Sequence, residues 1–297
     1  MSNALTTNKK SKPAFYGPVM MLIACILFST GGILCKLIPW SPLAINGVRN
    51  LFGGTLIGLY LLATHHKLRF NLKILVGAIC MGGVTTLFIV ANKLTTAANA
   101  IVLQYSAPIW LIIISALFLH KKPKAKEIIT IVFVLIGIIF FFLDGIGSGN
   151  TWGNFAALGA GLFYSGLFLL NSLPDADALS SLFYGQLGTG ILLSPLVFKE
   201  TDFSTVPVVT VICLGLFQVG LAYIFFNQAT KYTSPVTASI IAGIEPILNS
   251  VLVMIFWGEM LEPLSLVGAV IVIAAILIYN IFTARSSKET AEQTESS

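Results

Sequence analysis

Long apolar runs restrict this chain to membrane-spanning folds more than any other feature of its sequence. Runs of about 17–25 residues, enough for a helix to cross the roughly 30 Å hydrocarbon core of a bilayer, recur along the whole chain. Short polar, proline or glycine breaks separate them and favour antiparallel neighbours. The pattern predicts ten transmembrane helices, numbered here as spans 1 to 10, at residues 18–38, 43–64, 72–92, 98–119, 127–143, 152–170, 179–197, 207–230, 235–257 and 263–283.

The composition supports an all-α polytopic membrane protein embedded in the lipid bilayer. At 56% hydrophobic and 10% charged, the 297 residues lack the polar side chains that a soluble globule of this size needs. The net charge of +5 does not indicate a nucleic-acid partner, because the lysines cluster in loops beside apolar runs. No glycine-rich phosphate loop is present, and the four cysteines have no metal-ligand spacing. We therefore expect no cofactor and no metal.

The lysines and arginines predict the orientation. With the N-terminus inside, thirteen of them fall at inner span ends, and only Lys36, Lys93 and Lys199 fall at outer ends. Because basic loops stay in the cytoplasm, both termini are expected there, in a multi-pass protein of the cell membrane. The first apolar run is too long for a signal-peptide core, so no cleavage is expected. Residues 1–16 then form a cytoplasmic tail, and residues 284–297, which lack apolar periodicity, form a disordered one.

The chain contains two copies of one five-span unit. Subtracting 138 from the residue number carries Pro246 onto Pro108, and several neighbouring residues match without a gap. The copies occupy residues 17–143 and 152–283. Because each copy has an odd number of spans, the second is inverted relative to the first. Inverted repeats are a recurrent transporter architecture, in which the substrate site lies near the midplane between the repeats and rocking alternates access.

Short motifs recur in the two halves. Each half has two hydroxyl residues and an alanine before a span, followed by a proline, and the second half adds Trp-Gly-Glu and a glycine. These residues are Thr95, Thr96, Ala100 and Pro108, and Thr233, Ser234, Ala238, Pro246, Trp257, Gly258, Glu259 and Gly268. Across both halves the sequence resembles the EamA repeat of the drug/metabolite transporter superfamily. The resemblance implies a ten-helix fold and transport of small metabolites, often by export.

Two positions depart from the family pattern. The tryptophan-glycine step that is common near the middle of the family's first helix is Phe28-Ser29 here, which is expected to alter substrate contacts. The glutamate expected at the end of the fourth helix is Lys121. The second departure weakens only the sequence match of the first half.

Glu245 in span 9 is the first candidate for a functional group. A carboxylate at membrane depth is costly unless it is protonated, paired or hydrated, so it is a functional hypothesis by default. Helical spacing places it on one face with Ala238, Ala242 and Asn249. Pro246 withholds a backbone donor and loosens the helix beside the acid. Glu245 is the proton-carrier candidate; the alternative is close helix packing, with Glu245 satisfied by a neighbour.

Arg49 in span 2 is the only basic residue deep in a span. It shares a polar face with Asn46, Asn50 and Gly53. Because arginine stays charged, it needs an anion, a cluster of carbonyl groups or water. It is either a bidentate clamp for a substrate carboxylate or, as is common at this place in EamA repeats, a packing or topology residue. If Arg49 pairs with Glu245, substrate would compete for that pair.

Other polar residues are weaker candidates for substrate or coupling contacts. Each one alone makes an interhelical hydrogen bond more often than a ligand contact. Pro108 is expected to break span 4 as Pro246 breaks span 9. The remaining candidates are Gln104, Tyr105, Tyr164, Ser165, Tyr184, Gln186, Gln218, Tyr223 and Asn227.

These observations predict a secondary transporter that exports a small amphipathic, amino-acid-like metabolite by alternating access, with a proton or solute gradient as the energy source. Monomer and homodimer both remain open. One alternative is a non-transporting membrane scaffold or receptor. Another is a membrane-embedded enzyme, which would need acids, histidines or a nucleophile and base clustered at one depth. The spans offer one deep acid and no deep histidine, so no enzymatic activity is expected.

Overall fold

Helices make up all the regular secondary structure in the computed structural model, which describes residues 15–118, 124–145, 151–171, 173–232, 241–258 and 262–295. The first half contains α1 (Tyr16–Ser29), α2 (Gly31–Lys36), α3 (Pro42–Ala63), α4 (Leu72–Leu94), α5 (Ala97–Gln104), α6 (Ala107–Phe118) and α7 (Ala125–Gly145). The second half contains α8 (Thr151–Asn171), α9 (Ala178–Leu193), α10 (Thr205–Cys213), α11 (Ala222–Tyr232), α12 (Ile244–Trp257) and α13 (Pro263–Glu295).

Short polar side chains determine where several helices begin. Ser41, Asn71 and Thr96 each accept a hydrogen bond from the backbone N–H three residues later, at the starts of α3, α4 and α5. Such caps satisfy a donor that has no partner within the helix. Pro42 follows Ser41 at a position where its missing N–H costs nothing. The polar gaps of the sequence therefore fix the helix boundaries.

The outer surface of the bundle is apolar. Leu62, Phe70, Ile255, Phe256 and Val270 are each more than 60% exposed. Among the described residues, five helical stretches are both long and apolar enough to cross a membrane. A surface with large exposed hydrophobic side chains on many helices fits hydrocarbon rather than water, since exposed apolar patches on soluble proteins are small. All ten predicted spans correspond to helical stretches of the described chain.

Among the described residues, five spans are not single α-helices, and one of them is span 9, which is interrupted at Gly243 just before α12. Span 1 is divided at Thr30, and span 4 is interrupted at Tyr105 and Ser106, just before Pro108. Span 7 ends in a 3₁₀ turn at Ser194–Lys199, and a π-helical segment at Leu214–Leu221 joins α10 to α11 in span 8. Periodicity predicted one helix for each of these spans. π-helical segments are rare and often occur at functional sites.

The last helix is longer than the sequence predicted. Residues 284–297 were expected to be a disordered tail, but α13 continues to Glu295. Most of the added residues are polar, yet they include alanine, lysine, glutamate and glutamine, which have high helix propensity. Extending a helix that the apolar run has already nucleated costs much less than starting one.

The two halves pack with two-fold symmetry. Span 3 packs on span 6 as span 8 packs on span 1, and span 3 packs on span 7 as span 8 packs on span 2. Spans 2 and 7, 4 and 9, and 5 and 10 pack directly against each other. Exchanging each span with the one five places later therefore maps every one of these contacts onto itself or onto another. This is the pattern of two inverted five-helix repeats.

Glycines bring α3 and α9 into backbone contact near the symmetry axis. A Cβ atom at Gly54 would lie 2.6 Å from the backbone nitrogen of Leu187, and a Cβ atom at Gly190 would lie 2.5 Å from the backbone nitrogen of Leu51. A shift of 136 residues carries Gly54 to Gly190 and Leu51 to Leu187. The two contacts are therefore related by the internal symmetry, and both need a residue without a side chain.

Loops at each end of the bundle are joined by hydrogen bonds. The end that carries Tyr16, here called the terminal face, has His66 Nε2 2.8 Å from Asp177 Oδ2. At the opposite end, here called the distal face, Trp40 Nε1 donates to the backbone oxygen of Asp202 at 2.6 Å. The inverted topology agrees with these contacts. It places the loop between spans 2 and 3 and the loop between spans 6 and 7 at one end, and the loop between spans 1 and 2 and the loop between spans 7 and 8 at the other.

Candidate functional site

A pocket lies between the two repeats. Helices α1, α3, α4 and α5 line it from the first repeat, and α8, α11, α12 and the π-helical segment line it from the second. The pocket encloses about 490 Å³ of empty space, counted out to its mouth. Its lining residues are Phe28, Arg49, Val84, Thr85, Phe88, Ile101, Gln104, Tyr105, Tyr164, Gln218, Val219, Tyr223 and Glu245.

Arg49 forms the cationic wall of the pocket. Its side chain is 2% exposed and donates from Nε to Asn46 Oδ1 at 3.2 Å, from Nη1 to Gln218 Oε1 at 3.0 Å and from Nη2 to the Thr85 carbonyl at 3.1 Å. All three acceptors are neutral, so none of them cancels the positive charge. A guanidinium has five N–H donors. Arg49 therefore keeps both charge and donors for an anion that enters the pocket.

Asn46 and Asn50 lie behind Arg49 and do not line the pocket. Both are fully buried. Asn50 Nδ2 donates to Asn46 Oδ1 and to Thr85 Oγ1, each at 3.1 Å, and Asn46 Nδ2 donates to Thr86 Oγ1 at 2.9 Å. The polar face predicted for span 2 therefore orients the guanidinium and joins α3 to α4.

Glu245 lies on the wall formed by α12, within its first turn. The hydroxyl oxygen of Tyr105 is 2.9 Å from Glu245 Oε2 and also 2.9 Å from the Ala242 carbonyl oxygen. Ser29 Oγ lies 2.7 Å from the backbone oxygen of Cys25 and 3.1 Å from that of Glu245, so α1 contacts the same turn. Pro246 follows the acid immediately.

Arg49 and Glu245 line the same pocket without pairing. Of the two described side chains, no nitrogen of Arg49 comes within 4.0 Å of a carboxylate oxygen of Glu245. The sequence left a direct pair open, but Gln218 and Thr85 hold the guanidinium on the opposite side. The pocket therefore presents a cation from one repeat and a carboxylate from the other.

Aromatic side chains form another wall of the pocket. Phe28 and Tyr223 pack edge to face with ring centroids 4.9 Å apart, and Tyr164 and Phe88 complete this wall. Gln104 is 9% exposed, and its Oε1 has no hydrogen-bond partner among the described residues. Such a wall suits a small apolar group, while the amide oxygen is an acceptor for a polar one.

Asn249 lies outside the pocket, although helical spacing put it on the face of Glu245. It is 2% exposed, and its Nδ2 donates to the Ala97 carbonyl at 3.3 Å. A Cβ atom at Gly32 would lie 2.7 Å from Asn249 Oδ1, so α2 and α5 close over this part of α12. Several residues named from the sequence lie outside the described residues: Lys121, Thr233, Ser234, Ala238 and Glu259.

The wall that α4 contributes was not predicted from the sequence. Val84, Thr85 and Phe88 line the pocket there, and the Thr85 carbonyl and hydroxyl hold Arg49 and Asn50. The available signal was the Thr85–Thr86 pair in the middle of an apolar span. Apolar lining residues gave no such signal, because every span is rich in them.

Comparisons with known proteins agree with this architecture. A model of the EamA-like transporter family matches residues 15–143 and 151–281, which are the two repeats. The uncharacterized transporter YwfM of Bacillus subtilis strain 168 is 28% identical over 291 residues, covering 92% of this chain and 96% of the relative. The threonine/homoserine exporter RhtA of Escherichia coli K12 is 24% identical over 292 residues, covering 94% and 96%. One crystal structure shares the fold with a TM-score of 0.62 at 17% identity, covering 91% of this chain and 98% of that one.

Proposed function

The chain belongs to the EamA-like transporter family, and we propose that it exports a small zwitterionic solute of the amino-acid class by alternating access. The observation that carries this proposal is the placement of Arg49 and Glu245 on different repeats within one pocket. A solute carboxylate would bind the Arg49 guanidinium through two parallel hydrogen bonds, and a solute ammonium group would bind Glu245. The name of the relative RhtA makes threonine and homoserine the first solutes to test.

Alternating access would use the loop contacts at the two faces of the bundle. The contact between His66 and Asp177 would seal the terminal face, and the contact between Trp40 and Asp202 would seal the distal face. Rocking of one repeat against the other would break one set of contacts while the other persists. The glycine crossing of α3 and α9 would lie near the axis of such a motion.

Proton coupling at Glu245 completes the proposed cycle. A carboxylate that holds a proton has no negative charge to offer an ammonium group. Proton and solute would therefore compete for Glu245, and a proton gradient directed inward would drive the solute outward. We place the protein in the cell membrane with both termini and the terminal face in the cytoplasm, because the basic residues favour that side.

Flux into proteoliposomes tests the solute class directly. L-threonine would be compared with threoninol, which lacks the carboxylate, and with 2,3-dihydroxybutyrate, which lacks the ammonium group. We expect flux of threonine or homoserine above that of protein-free liposomes and little flux of the two analogues. Equal flux of all the compounds, or no flux of any common amino acid, would contradict the proposal.

A further inference from the structure

The Tyr105 hydroxyl has two acceptors within reach and one proton. It belongs to the first repeat, whereas both acceptors, the Ala242 carbonyl and Glu245 Oε2, belong to the second. A phenol donates one hydrogen bond and accepts others. Both contacts are full two-centre hydrogen bonds at once only if Glu245 is the donor in one of them, and a carboxyl group donates only when it is protonated.

Pro246 explains why the Ala242 carbonyl needs an outside donor. In an α-helix a carbonyl accepts from the N–H four residues later, and the residue four positions after Ala242 is Pro246, which has no N–H. Tyr105 is placed to supply the missing donor. The neighbouring Ile241 carbonyl has a different partner, because Cys25 Sγ on α1 lies 3.7 Å from its oxygen.

We propose that Tyr105 is a positioning residue that links the protonation of Glu245 to the backbone of the turn just before α12, an inference that rests on the proposed role of Glu245 as proton carrier. With Glu245 protonated, its carboxyl O–H donates to the Tyr105 oxygen and Tyr105 donates to the Ala242 carbonyl. When Glu245 gives its proton to water in the pocket, the Tyr105 O–H turns to the carboxylate and the Ala242 carbonyl is released. Two hydrogen bonds between the repeats become one.

The other ionisable groups around Glu245 do not make this connection. Helix α12 packs against α1, α2 and α5, and α2 contributes no residue to the pocket. Among the described contacts, Tyr105 alone is bonded to both the Glu245 carboxyl group and the backbone of the turn before α12. The other groups that face Glu245 are the Cys25 thiol on α1, Arg49 on α3, Tyr164 on α8 and Tyr223 on α11.

This exchange of hydrogen bonds prevents a proton and a solute ammonium group from binding at Glu245 at the same time. In the deprotonated site, the carboxylate and the released Ala242 carbonyl offer two neighbouring acceptors to an N–H donor. When Glu245 is protonated, the Tyr105 hydroxyl occupies the Ala242 carbonyl and the proton occupies the carboxyl group, so neither acceptor is free. The hydrogen bonds from Tyr105 to span 9 across the repeat interface therefore weaken only when the proton has left.

Infrared difference spectroscopy after a pH step tests the inference without any solute. Wild-type protein in liposomes should lose a protonated carboxyl band as the pH rises, together with a shift in a backbone carbonyl band. Glu245→Gln should lose both signals. Tyr105→Phe should keep a titrating carboxyl band, moved in frequency by the lost hydrogen bond, but lose the backbone shift. Tyr184→Phe, which removes a hydroxyl on α9 outside the pocket, should behave as wild type.

A second variant guards against misfolding of Tyr105→Phe. Pro246→Ala restores an N–H that pairs the Ala242 carbonyl within the helix, so the backbone shift should vanish although Tyr105 and Glu245 are both present. A full backbone shift in either Tyr105→Phe or Pro246→Ala, or none in the wild type, would overturn the inference while leaving Glu245 as the proton carrier. A carboxyl band that survives in Glu245→Gln would instead overturn the proton carrier, and the inference with it.

Discussion

At the scale of single residues, Arg49 is the most unusual group in the bundle. It is a cation at 2% exposure, and its described hydrogen bonds all go to amide or carbonyl oxygens. Removing a charge from water is costly, and neutral dipoles offset that cost without neutralising the charge. A carboxylate that arrives with the solute would supply the missing counter-charge. Asn46 and Asn50 are uncharged and lie behind Arg49, so we expect them to orient its guanidinium and not to contact the solute.

Arg49→Lys should impair transport although it keeps the charge. An ammonium group has three donors and no planar fork, so it cannot both satisfy Gln218 and Thr85 and grip a carboxylate through two bonds. We expect the flux of the preferred solute to fall by roughly tenfold or more, equivalent to about 1.4 kcal/mol.

Arg69→Lys, at an exposed position on the terminal face, is the matched control and should transport normally. Unchanged flux in Arg49→Lys would show that any positive charge suffices. Loss of membrane-inserted protein in that variant would favour a packing role.

Asp177 gives a pH-dependent prediction outside the membrane spans. Burial alone would raise its pKa, but hydrogen bonds from Ser180 and His66 outweigh burial and hold the pKa below its ordinary value. The stabilisation by Asp177 is therefore complete above the unfolded-state pKa of about 3.9 and is lost as the pH falls through the lower folded pKa. Thermal unfolding at neutral pH should show Asp177→Asn destabilised by about 1 kcal/mol, with the difference from wild type vanishing in acid.

Asp175→Asn is the control for that loop. Asp175 accepts a hydrogen bond from Asn71 through its backbone oxygen, so changing its side chain should leave stability unaltered. If Asp175→Asn and Asp177→Asn are equally destabilised at neutral pH, the bonds from Ser180 and His66 are not the cause.

At the scale of helices, the crossing of α3 and α9 depends on glycines at positions that the internal symmetry relates. Gly190→Ala would bring a methyl group within 2.5 Å of a backbone nitrogen, where neither helix yields without moving apart. Overpacking of this kind costs about 1–3 kcal/mol, so the melting temperature of the purified protein should fall.

Gly188→Ala is the internal control, because a Cβ atom there meets nothing within 4 Å. The two glycines lie two residues apart on the same helix, so general effects of alanine on the helix should be similar. Equal stability of the two variants would contradict the close crossing.

Hydropathy located the spans well but could not locate the breaks within them. The interruption at Tyr105 and Ser106 and the π-helical segment Leu214–Leu221 depend on which side chains meet across the repeat interface. Sequence spacing likewise placed Glu245 and Asn249 on one face without showing that α2 and α5 cover Asn249. It suggested Arg49 and Glu245 as partners, whereas tertiary contacts with Gln218 and Thr85 hold them apart.

At the scale of the whole molecule, the inverted repeats account for the site. The first repeat contributes eight of the pocket-lining residues and the second contributes five, and direct packing of paired spans brings the two sets together. An inverted pair also presents equivalent loop contacts at the two faces, which alternating access requires. Fold and candidate site thus have one origin in the duplicated sequence.

Cysteine labelling tests the proposed orientation. Thr201 on the distal face and Lys67 on the terminal face are both exposed loop residues. With the native cysteines replaced, Thr201→Cys in intact cells should react with a membrane-impermeant thiol reagent, and Lys67→Cys should react only after permeabilisation. The reverse pattern would invert the protein in the membrane.

The most direct test of the central claim compares two kinds of threonine flux in Glu245→Gln. Proton-driven accumulation needs a group that gains and loses a proton, whereas counterflow exchange of labelled for unlabelled threonine needs only binding and rocking. We predict that Glu245→Gln abolishes accumulation driven by a pH gradient yet retains measurable counterflow, while Glu262→Gln, in a loop away from the pocket, retains both. Undiminished proton-driven accumulation in Glu245→Gln would contradict the assignment of Glu245 as the coupling residue.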